Sequence, residues 1–171
     1  MNAQTYHDFV VPAAARFFPE RFNSLEARAI ILAIGLQESE FKHRRQLRRG
    51  LREWWKSITT PAAGLLQFER IGIAEVLRNP ATRQMALAVL EKFGYPEDVD
   101  TIHEALVHND LLAAAWGRLA LWRHPDPLPG EHEPDRAWRY YLRIWAPGIP
   151  HPEKWEACWS EAWRIVKAGA K

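Results

Sequence analysis

Between residues 25 and 41 the chain reads LEARAIILAIGLQESEF, and apolar residues fill nearly every row of a helical projection. Ala27, Ile31, Ile34, Glu38 and Phe41 step by four, three, four and three, which places them on one face. A second row, Leu25, Ala29, Leu32 and Leu36, is apolar too. A helix that is apolar all round is buried at the centre of a fold. Asn23 or Ser24 can cap this one, Glu26 suits its first turn, and it runs to about Glu40.

The rest of the pattern is also helical. A first helical region covers about residues 3–18, bent or restarted at Pro12 because proline lacks an N–H. Residues 42–63 show no clean periodicity and form an excursion loop that can hold a short hairpin. "LLQFERIGIAEVL" reads as a turn into a short helix. "NPATRQMALAVLEKFGYP" predicts a helix with Asn79 as cap, Pro80 at its first position and Gly94 past its end. Asp100 caps a short helix to about His108, and a small-residue helix spans Asp110 to Trp122. After a Pro-rich loop, "RAWRYYLRIW" and "PEKWEACWSEAWRIVKAG" are the last two helices, ended by Pro147 and Gly169. Neither a repeat nor a low-complexity tract interrupts them. The fold class expected is mainly α, with helices packed around a buried central helix and little or no β-structure.

Length and composition narrow this picture. At 171 residues one domain is expected, and 47% apolar residues make it globular. Gly35, Gln37 and Glu38 interrupt the best apolar run, so no membrane span is expected. The N-terminus "MNAQTYHDFV" lacks the pattern of a secretory signal peptide. One cysteine, Cys158, excludes an intrachain disulfide and a cysteine-rich metal site, and its apolar setting predicts a small core residue. The seven histidines are scattered without ligand spacing, so no metal and no cofactor are expected. Trp155, Trp159 and Trp163 share one helix stripe, which predicts packing.

The net charge is +2, but "KHRRQLRRGLR", residues 42–52, concentrates cations. Such a run suits an anionic polymer or a solvated loop. With Trp54 and Trp55 beside it, a nucleic-acid single strand is conceivable chemistry. The charge is confined to this one loop, so no nucleic-acid partner is expected.

Glu38 is the residue with chemistry. It emerges from the core near the C-terminal end of the central helix. Desolvation, the negative helix end and a scarcity of compensating donors all favour its protonated form. A carboxyl that keeps its proton near neutral pH can protonate a glycosidic oxygen. Glu40, two residues on, points away and is solvated.

Glu38-Ser39 at the end of a buried helix is followed, after a loop, by Gly64-Leu65-Leu66-Gln67. This order resembles the lysozyme-like superfamily, within it the lytic transglycosylases and phage-type muramidases, where a Glu-Ser pair precedes a Gly-Leu-x-Gln motif. The resemblance covers residues 25–70 and extends to about residue 122. "YYLRIWAPGIPHPEKW" is similar to the ending of some phage-encoded members. It implies a lysozyme-like catalytic domain over residues 1–171 that cleaves the MurNAc–GlcNAc β-1,4 bond of peptidoglycan. Glu38 would be the catalytic acid, then base. Ser39 could hydrogen-bond the sugar, and Gln67 could orient Glu38 or hold an N-acetyl sugar. Tyr140 and Tyr141 are candidates for the family's cleft tyrosine by chain order alone.

Glycosidases commonly use two carboxylates. Glu53 and Glu69 are the candidates for a second, but no spacing compels either. Lytic transglycosylases need one glutamate, because the C6 hydroxyl of the same sugar closes a 1,6-anhydro ring. The resemblance therefore implies transglycosylation. A muramidase-type hydrolase, or a non-catalytic glycan-binding or structural protein on the same scaffold, is the alternative. Peptidoglycan strands are the implied partner, together with virion or tail proteins. The implied setting is a phage-encoded or virion-associated protein made in a bacterial cytoplasm and acting on the cell wall.

Overall fold

A computed structural model of the chain describes residues 1–45, 61–147 and 150–169. Its elements in order are α1 (Ala3–Thr5), a π-helical turn (Tyr6–Val10), α2 (Val11–Ala15), a 3-10 turn (Glu20–Phe22), α3 (Leu25–Ser39), β1 (Ala62–Ala63), β2 (Phe68–Glu69), α4 (Arg70–Arg78), α5 (Arg83–Phe93), α6 (Val99–His108), α7 (Asp110–Trp122), α8 (Pro134–Trp145) and α9 (Pro152–Gly169). The fold is mainly α. Its one sheet among the described residues is a two-residue antiparallel pair, Ala62 with Glu69 and Ala63 with Phe68. The excursion loop lies mostly outside the described residues, with Glu53, Trp54, Trp55 and cations 46–52 in it.

Pro12 explains the break in the first helix. Val11 donates its N–H to the Tyr6 carbonyl, a five-residue step, and α2 starts with the proline in its first turn. The wider π turn accommodates a ring that has no N–H to give.

α3 is the central helix. Ser24, not Asn23, caps it, its Oγ accepting the Ala27 N–H at 3.2 Å. Ten of its fifteen residues are buried, on all sides. α9 packs along it more extensively than any other helix pair in the structure, and α7 and α1 cover other faces. The helix stops because Glu40 and Phe41 turn left-handed, with φ of 52° and 55°. Phe41 is therefore not on the helical row that its spacing predicts. It folds back beneath α3, fully buried against the Tyr6 ring, with centroids 4.8 Å apart. Gly35 makes room for it: a Cβ there would stand 2.2 Å from Phe41 Cζ.

Two helix starts differ from the sequence expectation. Asn79 accepts from the Ala81 N–H at 2.9 Å, a local turn that holds residues 80–82 outside the helix, so α5 begins at Arg83. α6 is capped by Asp98, which accepts from the Thr101 N–H at 2.8 Å, while Asp100 pairs with Arg70.

The tryptophan stripe is packing, as its spacing predicts. Trp155, Trp159 and Trp163 are buried on α9, and a run of ring contacts links Trp138, Tyr141, Trp155, Trp159 and Trp163. Trp155 and Trp159 donate their indole N–H to the carbonyls of Pro134 and Glu131, whereas the buried Trp163 Nε1 has no hydrogen-bond partner among the described residues. Cys158 is half-buried rather than fully inside the core. No helix among the described residues is long and apolar enough to cross a membrane.

Candidate active site

The stretch Gly64-Leu65-Leu66-Gln67 is the turn between β1 and β2. Gly64 has φ of 73°, and a Cβ on it would stand 2.3 Å from the Leu106 carbonyl oxygen, so geometry and space both call for glycine. Gln67 is also left-handed, with φ of 52°, a strained setting for a side-chain-bearing residue.

Three successive carbonyls of this turn are each held from a different direction. The Gly64 oxygen accepts from the Gln67 backbone N–H at 3.1 Å and from its Nε2 at 2.6 Å. Leu65 accepts from Ser39 Oγ at 2.6 Å, and Leu66 from Trp145 Nε1 at 2.8 Å. Meanwhile Leu65 and Leu66 anchor their side chains in the core. The turn is fixed from the end of α3, from α8 and from within itself.

Ser39 is thus a positioning residue and not a sugar contact. It is 3% exposed, its single proton goes to Leu65, and it accepts from the Phe41 N–H at 3.1 Å. Beside it Glu38 opens into a cleft of about 370 Å³, lined also by Gln37, Pro61, Gln67, Glu69, Tyr141, Trp145 and His151. That is the size of a small-molecule site and larger than a single ion needs.

Tyr141 donates its phenol proton to Glu38 Oε1 at 2.6 Å. Its ring is stacked on Trp155, with centroids 5.0 Å apart and planes 18° from parallel, so the α9 core aims the hydroxyl. Burial and the neighbouring Glu38 charge push the Tyr141 phenol well above its usual range, which keeps it a donor. Burial likewise pushes Glu38 up to about 7. The Tyr141 hydrogen bond works against that rise, the Glu69 charge adds to it, and His151 lowers it. Few donors were expected around Glu38; among the described residues the Tyr141 phenol is the one side chain that donates to it, and desolvation outweighs it.

Tyr140, the other candidate, lies on a different face of α8. It is buried and donates to the Leu121 carbonyl at 3.1 Å, away from Glu38. Gln67 does line the cleft, but it makes no hydrogen bond to Glu38. Its Nε2 is occupied by the Gly64 carbonyl and, at 3.4 Å, by that of His43. The carboxamide oxygen is its part left for a ligand. Glu40 is exposed and paired with Lys42 at 2.7 Å.

The described part of the basic segment is not free charge. Arg44 forms a two-pronged pair with Asp110, at 2.5 and 2.7 Å, and also donates to the Val107 carbonyl. Arg45 pairs with Glu104 at 2.5 Å. These arginines fasten the chain after α3 onto α6 and α7, so this part of the run is neither a solvated loop nor unpaired charge.

Sequence reasoning missed Trp145, Gln37 and His151. Gln37 Nε2 donates to the His151 carbonyl at 2.9 Å, so the residue beside Glu38 holds one wall of the cleft. A polar residue in an otherwise apolar helix was the available signal for it. Among the described residues no cluster of three or more His, Cys, Asp or Glu could hold a metal. No model of a known protein family, no curated protein and no solved structure matches the chain.

Proposed function

We propose that this protein is a peptidoglycan-cleaving glycosidase of the lytic transglycosylase type, with Glu38 as its acid and then its base. The observation that carries the reading is a half-buried carboxyl, held up to about 7, in an open cleft with a phenol on one oxygen. Tyr141 occupies Oε1 and leaves Oε2 to carry the proton. Glu38 gives that proton to the glycosidic oxygen as the C1–O4 bond breaks. Tyr141 then stabilises the carboxylate that results. The C6 hydroxyl of the same muramic residue attacks C1 and passes its proton back to Glu38, closing a 1,6-anhydro ring. Gln67 offers an acceptor for an N-acetyl N–H.

One observation favours a second reading. Glu69 lines the same cleft and its charge raises Glu38. A carboxylate so placed could hold an attacking water, as in an inverting muramidase. Mass spectrometry of digested peptidoglycan separates the two. Transglycosylation gives muramic ends lighter by one water and no reducing sugar, and Glu69→Gln keeps most of the rate. Reducing ends, together with a Glu69→Gln loss as deep as that of Glu38→Gln, would establish hydrolysis instead. Walls left uncut by pure protein under all conditions would favour a non-catalytic glycan-binding role.

The pH profile tests the acid directly. Because Glu38 must carry a proton, kcat/KM is expected to fall about tenfold per pH unit above its pKa near 7. Tyr141→Phe removes a hydrogen bond that favours the charged form, so this alkaline limb should move to higher pH. A limb that stays in place or moves down would mean that Tyr141 does not act on the catalytic proton.

A further inference from the structure

A second cleft, of about 670 Å³, lies at the opposite end of α3 from Glu38. Ser24 and Glu26 line it, and fourteen residues of helical rise put Ser24 about 20 Å from Glu38. Arg118, from α7, also lines it. This arginine is 7% exposed, yet it forms no ion pair among the described residues. Its Nε donates to the Phe22 carbonyl, and its two Nη groups make no hydrogen bond to any described residue. The guanidinium sits 5.2 Å from the Phe22 ring centroid and 5.8 Å from that of Trp122. Arg21 stands over the same Trp122 ring at 5.5 Å and has no ion pair among the described residues.

A desolvated cation without a counter-charge is costly to keep. Burial pulls the Arg118 guanidinium down to about 10, which still leaves it charged at neutral pH. Two carboxylates in the cleft are already committed: Asp126 to Arg143 at 3.0 Å, and Glu133 to Arg136 and the Gly130 N–H at 2.8 Å each. Glu26 lines the cleft with no ion pair among the described residues and can accept an N–H. Leu121, Trp122, Pro125 and Leu128 supply apolar walls.

We infer that this cleft binds the carboxylate end of a short apolar peptide. The forked Nη donors of Arg118 match a carboxylate, Arg21 adds a second cation, the apolar walls take a small side chain, and Glu26 takes the amide N–H. The inference does not depend on the role assigned to Glu38.

The probes are N-acetyl-alanyl-alanine in its L,L and D,D forms and the matching carboxamides, titrated into the full chain by calorimetry. Saturable binding of at least one acid is expected, with its carboxamide at least about tenfold weaker. Preference for D,D identifies a wall-peptide source, and preference for L,L a protein C-terminus. Arg118→Met should abolish binding while the protein stays folded, with a melting temperature equal or higher because an unpaired buried charge is gone. Arg21→Ser, at an exposed position, should weaken binding several-fold, and Glu38→Gln should leave it unchanged. If Arg118→Met does not fold, Arg21→Ser and the carboxamides decide the matter. No binding of either acid, equal binding of acid and carboxamide, or binding indifferent to Arg21→Ser and Arg118→Met would overturn the inference.

Discussion

Glu38→Gln is expected to lose turnover on peptidoglycan by a factor on the order of a hundred or more, because the function proposed above makes Glu38 the proton donor and later the base. The same substitution should make the protein more stable at alkaline pH. Folding holds the Glu38 pKa at about 7, above the ordinary 4.5, so the folded state binds the proton more tightly than the unfolded chain does. The stability this contributes is fully present below pH 4.5 and is lost as pH rises through 7. Glutamine stays neutral throughout and still accepts from Tyr141. Above pH 7 the variant should therefore gain stability, on the order of 2–3 kcal/mol at most, and near pH 4 it should gain little. Urea titrations at both pH values, run beside the activity assay, separate a lost acid from a lost fold. Near wild-type clearance of cell walls by a folded Glu38→Gln protein would move the active site elsewhere.

Gly64→Ala is expected to cost roughly 2–5 kcal/mol of stability, a fall in melting temperature of roughly 4–20 °C. Two effects combine: a left-handed φ of 73° and a Cβ driven into the Leu106 carbonyl at 2.3 Å. Gly94 provides an internal control. Its φ is 72°, nearly the same, but a Cβ there meets nothing within 4 Å. Gly94→Ala should thus carry only the backbone cost of about 1 kcal/mol. Equal losses at the two glycines would show that the Leu106 contact has no weight, and that the turn beside Glu38 is softer than its hydrogen bonds imply.

What could be read from the chain follows from the range of the forces involved. α3 and α7 were legible because their apolar spacing is a local signal, and Glu38 stood out as a carboxylate at the end of such a helix. Gly94 was legible as a helix stop for the same reason. The choice between Tyr140 and Tyr141 was not, since neighbours on a helix differ by about 100° and the rotation of α8 selects between them. That rotation depends on stacking against Trp155, which belongs to another helix. Ser39 beside a catalytic-looking glutamate suggested a sugar contact, whereas its hydroxyl reaches the carbonyl of Leu65, 26 residues on. Arg44 looked like free charge until folding brought Asp110 to it across 66 residues.

The pairing of α3 with α9 ties the surroundings of Glu38 to a helix far along the chain. α3 is among the first helices made and α9 is the last described one, so the largest helix contact joins distant parts of the chain. Contacts of that span form late, after loop-closure entropy has been overcome. Trp155 on α9 stacks on Tyr141, whose hydroxyl reaches Glu38 near the end of α3, so the surroundings of that carboxyl depend on two helices far apart in the chain coming together.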